Sequence, residues 1–193
     1  MVEGGLSNDR DDRGGITKFG VSLRFLAAEG AFDEDGDGKA DFDLDMDGDI
    51  DGQDIRQLTP ANAVFLFYRC FWQRLGIETL PIPAPIGEMV FDQAVNGGVV
   101  TSRKLLQRAI NSCLMLIPAS QCKVGLLKVD GAIGDATIAA LRFVLAFPSV
   151  GTGGLATCFR EAVGERYRAI VRRWPDQQKY LNGWLARADR LGK

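Results

Sequence analysis

The run Glu3-Gly4-Gly5-Leu6-Ser7-Asn8-Asp9, followed by Asp12-Arg13-Gly14-Gly15-Ile16-Thr17-Lys18-Phe19-Gly20, decides how the rest of the chain is read. It is rich in Gly and Asp with few apolar positions, which predicts a structured loop. Gly4-Gly5 would stop any helix carrying Glu3, since Gly is favoured just past a helix end. Asp9 reads as a turn residue of the Asx type. Gly14, Gly15 and Gly20 read as shapers of the backbone.

Composition narrows the possible chemistry. The 193 residues include no histidine, which removes Ser-His-Asp and Cys-His nucleophile pairs and His-Glu-x-x-His zinc sites. Acid–base work then falls mainly to carboxylates, less often to Lys, Tyr or Cys. Hydrophobic residues make up 46% of the chain, enough to bury a core in one domain or two small halves. No apolar run approaches a membrane span. Met1-Val2-Glu3-Gly4-Gly5 lacks the basic and apolar regions of a signal peptide. The four cysteines do not define a disulfide framework; Cys113 and Cys122 either bridge a loop or stay reduced.

Outward from the opening run, residues 21–30 (Val21, Leu23, Phe25, Leu26) predict a short apolar helix ending near Gly30. Thr59-Pro60 predicts a helix start with Pro at the first position. Ala63, Phe67, Cys70, Phe71 and Arg74 are expected on one mostly buried face of it. Pro81, Pro83 and Pro85 predict a rigid connector. It would join residues 1–80 to residues 86–193, with the two halves packed as one unit. Residues 86–96, 101–117, 135–147, 155–174 and about 176–191 read as helices. Strand-like alternation is scarce, so the fold is expected to be mainly α.

Between the first two helices, residues 33–54 hold eleven acids and one Lys, while the rest of the chain holds fourteen acids and twenty-two bases. Asp43, Asp45, Asp47, Gly48, Ile50, Asp51 and Asp54 occupy positions 1, 3, 5, 6, 8, 9 and 12 of an EF-hand loop. Alternating carboxylates face the ion, Asp49 offers its backbone carbonyl, Gly48 makes the turn and Ile50 anchors the loop. A calcium ion is expected there. Asp54 in place of Glu predicts weak binding, about 10⁻⁴–10⁻³ M. Asp33, Asp35, Asp37, Gly38 and Asp41 begin a second loop, but Leu44 stands where its last ligand should be. A second ion would need a borrowed ligand such as Asp43.

The opening run resembles glycoside hydrolase family 108, lysozyme-like muramidases of phage endolysins and bacterial secretion-associated proteins. Its Glu-Gly-Gly, Asn-Asp and Asp-x-Gly-Gly-x-Thr-Lys-aromatic-Gly elements are all present, with Arg10 where the family usually has Pro. The resemblance implies a lysozyme-like helical fold with the calcium loop inserted. It implies Glu3 as general acid, Asp12 as the carboxylate that stabilises positive charge or activates water, and Thr17 as the residue that positions water. An inverting reaction is implied by the same analogy. Family members usually carry further residues ahead of Glu-Gly-Gly, enough to build a helix that holds the acid; only two precede Glu3 here, so either that helix lies outside this sequence or tertiary contacts are expected to hold the acid.

Phe91-Asp92-Gln93-Ala94-Val95-Asn96-Gly97-Gly98, Leu106-Gln107, Val129-Asp130-Gly131-Ala132-Ile133-Gly134 and Gly183-Trp184-Leu185-x-Arg187 extend the resemblance through the peptidoglycan-binding segment of that family. Asn96 is the expected glycan contact from this half. Asp130-Gly131 and Gly134 predict a turn that packs one helix on another, and Trp72, Trp174 and Trp184 either stack on sugars or fill the core. Arg160, Arg168, Arg172 and Arg173 predict a basic helix face, which either meets an anionic outer-membrane surface or is simply solvated. The expectation is a monomeric muramidase, made in a host cytoplasm and acting on peptidoglycan in the periplasm, with no nucleic-acid partner. A lytic transglycosylase and a non-catalytic calcium-dependent wall-binding module are the alternatives.

Overall fold

The computed structural model describes residues 5–7, 15–34 and 36–193. The chain divides into two compact units, Met1–Cys70 and Phe71–Lys193, and the fold is mainly helical.

In the first unit, three short strands form an antiparallel sheet in the order β1 (Leu6–Ser7), β2 (Thr17–Lys18), β3 (Val21–Ser22). Lys18 pairs with Val21 across Phe19 and Gly20, at φ 52° and 80°. Two consecutive left-handed residues match the twist of a two-residue hairpin. A Cβ at Gly20 would lie in van der Waals contact with the Phe67 ring, 3.4 Å away. Ser22 ends β3 and caps helix α1 (Leu23–Glu29), its hydroxyl accepting from Phe25 N–H at 3.3 Å. The predicted helix 21–30 thus begins two residues late, because Val21 is spent on the sheet.

Helix α1 ends at Gly30, where no side chain fits. A Cβ there would lie 2.8 Å from the Leu26 carbonyl oxygen and 2.9 Å from Phe42 Cβ. After the acidic loops come α2 (Gly52–Gln57) and α3 (Pro60–Phe67), each opened by a capping box, Asp51 with Asp54 and Thr59 with Asn62. Pro60 stands in the first turn of α3, as its sequence predicts. The core of this unit gathers Val21, Leu26, Phe42, Ile55, Leu58 and Leu66.

The expected buried face of the helix after Pro60 needs correction. Residues Tyr68–Gln73 form a π-helix. The buried positions are Ala63, Leu66 and Cys70, at ordinary α spacing, while Phe67 and Phe71 are half-buried and Arg74, just past the π-helix, is exposed.

The second unit is a bundle of α4 (Ala84–Gly97), α5 (Val99–Leu116), α6 (Asp135–Ala146), α7 (Gly151–Arg173) and α8 (Leu181–Arg190). Pro85 belongs to the first turn of α4 rather than to a connector. Helices α5 and α7 lie along each other, α4 packs on both, and α8 packs on α7. Their shared core is apolar and fully buried at Ile86, Leu105, Ile110, Leu141, Leu155 and Phe159. Gly98, at φ 85°, is the single joint between α4 and α5. The last predicted helix is split, with a 3-10 stretch Pro175–Tyr180 preceding α8.

A buried amide organises the long loop between α5 and α6. Gln107 Oε1 accepts from Gly131 N–H at 2.7 Å, and its Nε2 donates to the Ala132 carbonyl at 2.9 Å. Asn111 adds a second tie, donating to the Leu127 carbonyl at 2.9 Å and accepting from Leu127 N–H at 2.7 Å. The Asp130-Gly131 turn therefore has the helix-packing role read from sequence. Trp72 packs edge-on against Phe91, Trp184 stacks with Tyr180 and lies against Tyr167, and Trp174 is half-exposed beneath Arg173. All four cysteines are free. Cys122 Sγ donates to the Val124 carbonyl, and Cys113 has Cys158 as its thiol neighbour across α5 and α7. Among the described residues, no single helix is long and apolar enough to cross a membrane.

Candidate active-site sheet and acidic loop

Of the three expected catalytic residues, Thr17 lies in the described region, and Glu3 and Asp12 lie outside it. Thr17 sits on the central strand, opposite Ser7 of β1 and Ser22 of β3. Its hydroxyl donates to the Gly15 carbonyl at 3.2 Å, which leaves the oxygen lone pairs available to accept from a water or sugar hydroxyl. Gly15, at φ 76°, brings that carbonyl back toward the strand. In the sequence, Glu3 precedes β1 and Asp12 falls between β1 and β2.

The acidic stretch folds as two turns of one design, one following the other in the sequence. Asp33 accepts from Gly36 N–H at 2.7 Å, Asp37 N–H at 3.2 Å and Gly38 N–H at 2.8 Å. Asp43 accepts from Asp47 N–H at 3.1 Å and Gly48 N–H at 2.9 Å. Gly36 and Met46 are both left-handed, as are Gly38 and Gly48. Asp41 closes the first turn by accepting from Glu34 N–H; Asp35 lies outside the described residues.

In the second turn, carboxylate oxygens of Asp43, Asp45 and Asp47 lie within 4.8 Å of one another. An all-oxygen donor set of that kind fits a hard cation such as calcium. Partial desolvation and the charge of Asp47 raise the Asp45 carboxyl above its ordinary value, and Asp47 chiefly does the same to Asp49. Asp49, Asp51 and Asp54 stand outside this cluster of three. Asp51 caps α2 by accepting from Gln53 N–H. Asp54 is fully buried, and its carboxylate accepts from the backbone N–H of Leu44 at 2.6 Å, Asp45 at 3.4 Å and Asp51 at 2.7 Å. It fastens the two ends of the loop together.

Asn96 stands in the last turn of α4, exposed, its amide donating to the Asp92 carbonyl at 2.7 Å. The Asp92 carboxylate in turn pairs with Arg187 of α8. This assembly belongs to the second unit.

Comparison with known proteins defines the class that this geometry serves: a glycoside hydrolase acting on peptidoglycan. The pattern of Glycosyl hydrolase 108 matches residues 1–98, and that of the Predicted Peptidoglycan domain matches residues 101–189. The chain belongs to glycosyl hydrolase family 108. Among solved structures it is similar to one described as "Structure of Brucella abortus SagA", with 21% identity over 98% of this chain and 84% of that one, at a TM-score of 0.65. That likeness concerns the fold. No curated protein matches the chain.

Sequence reading missed the three-stranded sheet, because two-residue strands are too short to show alternation. Only the Phe19-Gly20 pair, flanked by β-branched Thr17 and Val21, carries a hairpin signal.

Proposed function

We propose that the protein is an N-acetylmuramidase with a lysozyme-like cleft, hydrolysing the bond between N-acetylmuramic acid and N-acetylglucosamine. The observation that carries this reading is the family match over residues 1–98, which contains the Glu3, Asp12, Thr17 pattern with Thr17 on the central strand. Glu3 donates its proton to the glycosidic oxygen as the C1–O bond breaks. Asp12 takes a proton from the water that adds to C1, and Thr17 holds that water through its hydroxyl oxygen. Net inversion at C1 follows if water attacks directly from the opposite face.

Calcium, held by Asp43, Asp45 and Asp47 with help from the Asp49 carbonyl, Asp51 and Asp54, is proposed as a structural ion that neutralises the loop between α1 and α2. The upstream turn, Asp33 to Asp41, is the secondary candidate. Asn96 is proposed as a glycan contact. The protein is proposed to act as a monomer in the periplasm after synthesis in the cytoplasm. Of the four arginines expected on a basic face, Arg160 is tied to the Leu191 carbonyl at 2.9 Å and Arg172 lines a groove between α5 and α7, so exposed Arg168 and Arg173 are left as the candidate contacts to anionic outer-membrane groups.

Mass spectrometry of digested sacculi tests the reaction. Reducing N-acetylmuramic acid ends are expected, and 1,6-anhydro ends would assign the chain to the lytic transglycosylases instead. If the chain binds sacculi with calcium present but releases nothing, the non-catalytic wall-binding reading takes its place.

A further inference from the structure

Peptidoglycan offers two chemistries to a binding unit, neutral N-acetylated sugars and short peptide stems that carry carboxylates. The second unit holds a groove suited to the latter. Its volume is about 510 Å³, and it lies between α5 and α7, lined among others by Arg108, Asn111, Glu161, Glu165, Arg166 and Arg172. All six fall in the segment matched by the Predicted Peptidoglycan domain.

The charges in this groove do not cancel. Glu165 is held by Arg168 at 2.9 Å. The Asn111 amide is spent on Leu127. Arg108 and Arg172 stand exposed at the rim, with Glu161 the remaining acid. Arg166 is half-buried, its guanidinium against Gly97 at the end of α4, where a Cβ would lie 2.6 Å from its Nη2. Among the described residues its N–H donors meet no acceptor and no carboxylate; its neighbour is the ring of Tyr167, 5.5 Å away. Loss of water lowers its affinity for the proton. A half-buried guanidinium whose donors are left to water can exchange that water for an anion, and a carboxylate matches its fork.

We propose that the α5–α7 groove binds the carboxylates of peptidoglycan peptide stems, with Arg166 as the recognising residue and Arg108 and Arg172 as rim contacts. The proposal rests on the reading of the second unit as wall-binding. Glu161 suits the free amine of a diamino acid in the same stem.

Titration calorimetry on the full chain tests it with L-Ala-γ-D-Glu-meso-diaminopimelate, the same peptide with its carboxylates amidated, a chito-oligosaccharide, and vesicles containing phosphatidylglycerol. The free peptide is expected to bind, the amidated one at least tenfold more weakly. Arg166→Gln should lose at least tenfold in peptide affinity with an unchanged melting temperature, and Arg166→Lys should recover part of it. Should Arg166→Gln fail to fold, Arg172→Gln at the rim is expected to weaken binding about threefold. Equal binding of the amidated peptide, unchanged affinity in folded Arg166→Gln, or exclusive binding to vesicles overturns the proposal. Release of muropeptides from sacculi by a chain that binds no free stem sinks the groove proposal alone; failure to bind or cleave sacculi sinks the wall-binding reading as well.

Discussion

Gln107 on α5 and Gly131 in the following loop form a buried pair, with the side-chain oxygen accepting from the backbone N–H at 2.7 Å. Gln107 is 1% exposed. Replacing it by Leu strands the Gly131 N–H, which costs about 1–3 kcal/mol, and leaves the Ala132 carbonyl with only the longer bond from the Thr137 hydroxyl at 3.4 Å. Chemical denaturation of Gln107→Leu should show that loss. Gly131→Ala should also destabilise, because the residue is at φ 85° and a Cβ would press on Val100 at 3.1 Å.

Asp54 predicts a loss of a different kind. Asp54→Ala removes the acceptor for three backbone N–H groups inside the loop. Folded stability should fall by about 1–3 kcal/mol even in chelator, measured by urea titration. Calcium should raise the melting temperature of the parent, and Asp45→Asn with Asp47→Asn should abolish that rise. An equal rise in the double variant would remove the ion from the second turn.

Catalysis should follow the proposed roles. Glu3→Gln is expected to lower muropeptide release by about 10²–10⁴-fold, the usual contribution of a positioned proton donor. Asp12→Asn should fall in the same direction. Thr17→Ala should lose activity while Thr17→Ser keeps it, since only the hydroxyl is used. Turnover of purified sacculi reads all four.

Asp130 gives a pH signature. Its carboxylate accepts from Ala132 N–H and from Gln107, and these bonds hold it below the usual carboxylate range. A depressed carboxyl contributes stability above its unfolded value and loses that contribution as pH falls through the folded one. Asp130→Asn should therefore be less stable than the parent at neutral pH, with the gap closing in acid below about pH 4. Melting curves from neutral pH into strong acid would show it.

Thiol reactivity should separate the cysteines. Burial, with Cys158 beside it, pushes the Cys113 thiol up to about 12, and burial raises Cys158 as well. The thiolate is the reacting form. Half-buried Cys122 should be alkylated in the folded protein while Cys113 and Cys158 react only in denaturant, as mass spectrometry of the labelled chain would reveal.

Much of the helical layout is legible in the sequence, for a physical reason. Thr59-Pro60 announces α3, and the apolar stripes of α5 and α7 announce long packed helices. The π turn at Tyr68–Gln73 is not legible, because no residue there breaks a helix. In the acidic stretch, spacing locates both turns, and Gly38 and Gly48 are left-handed as their motif positions require. The place of Asp54 is hidden, since ligand and backbone clamp use the same carboxylate. Arg166 carries no signal either. Its isolation arises only where Gly97, distant in the chain, comes against it.

Helix α4 has a consequence for dissecting this protein. It is matched by the hydrolase pattern, yet Met89, Val90 and Ala94 are buried in the core shared with α5 and α7. A truncation or chimera cut at Gly98 would therefore divide a hydrophobic interior rather than a linker. The fragment 1–98 would carry a naked apolar helix prone to aggregation, and the remainder would inherit a cleft open to water. The border between the two family patterns and the border between the two compact units do not coincide here; the second falls at Cys70–Phe71.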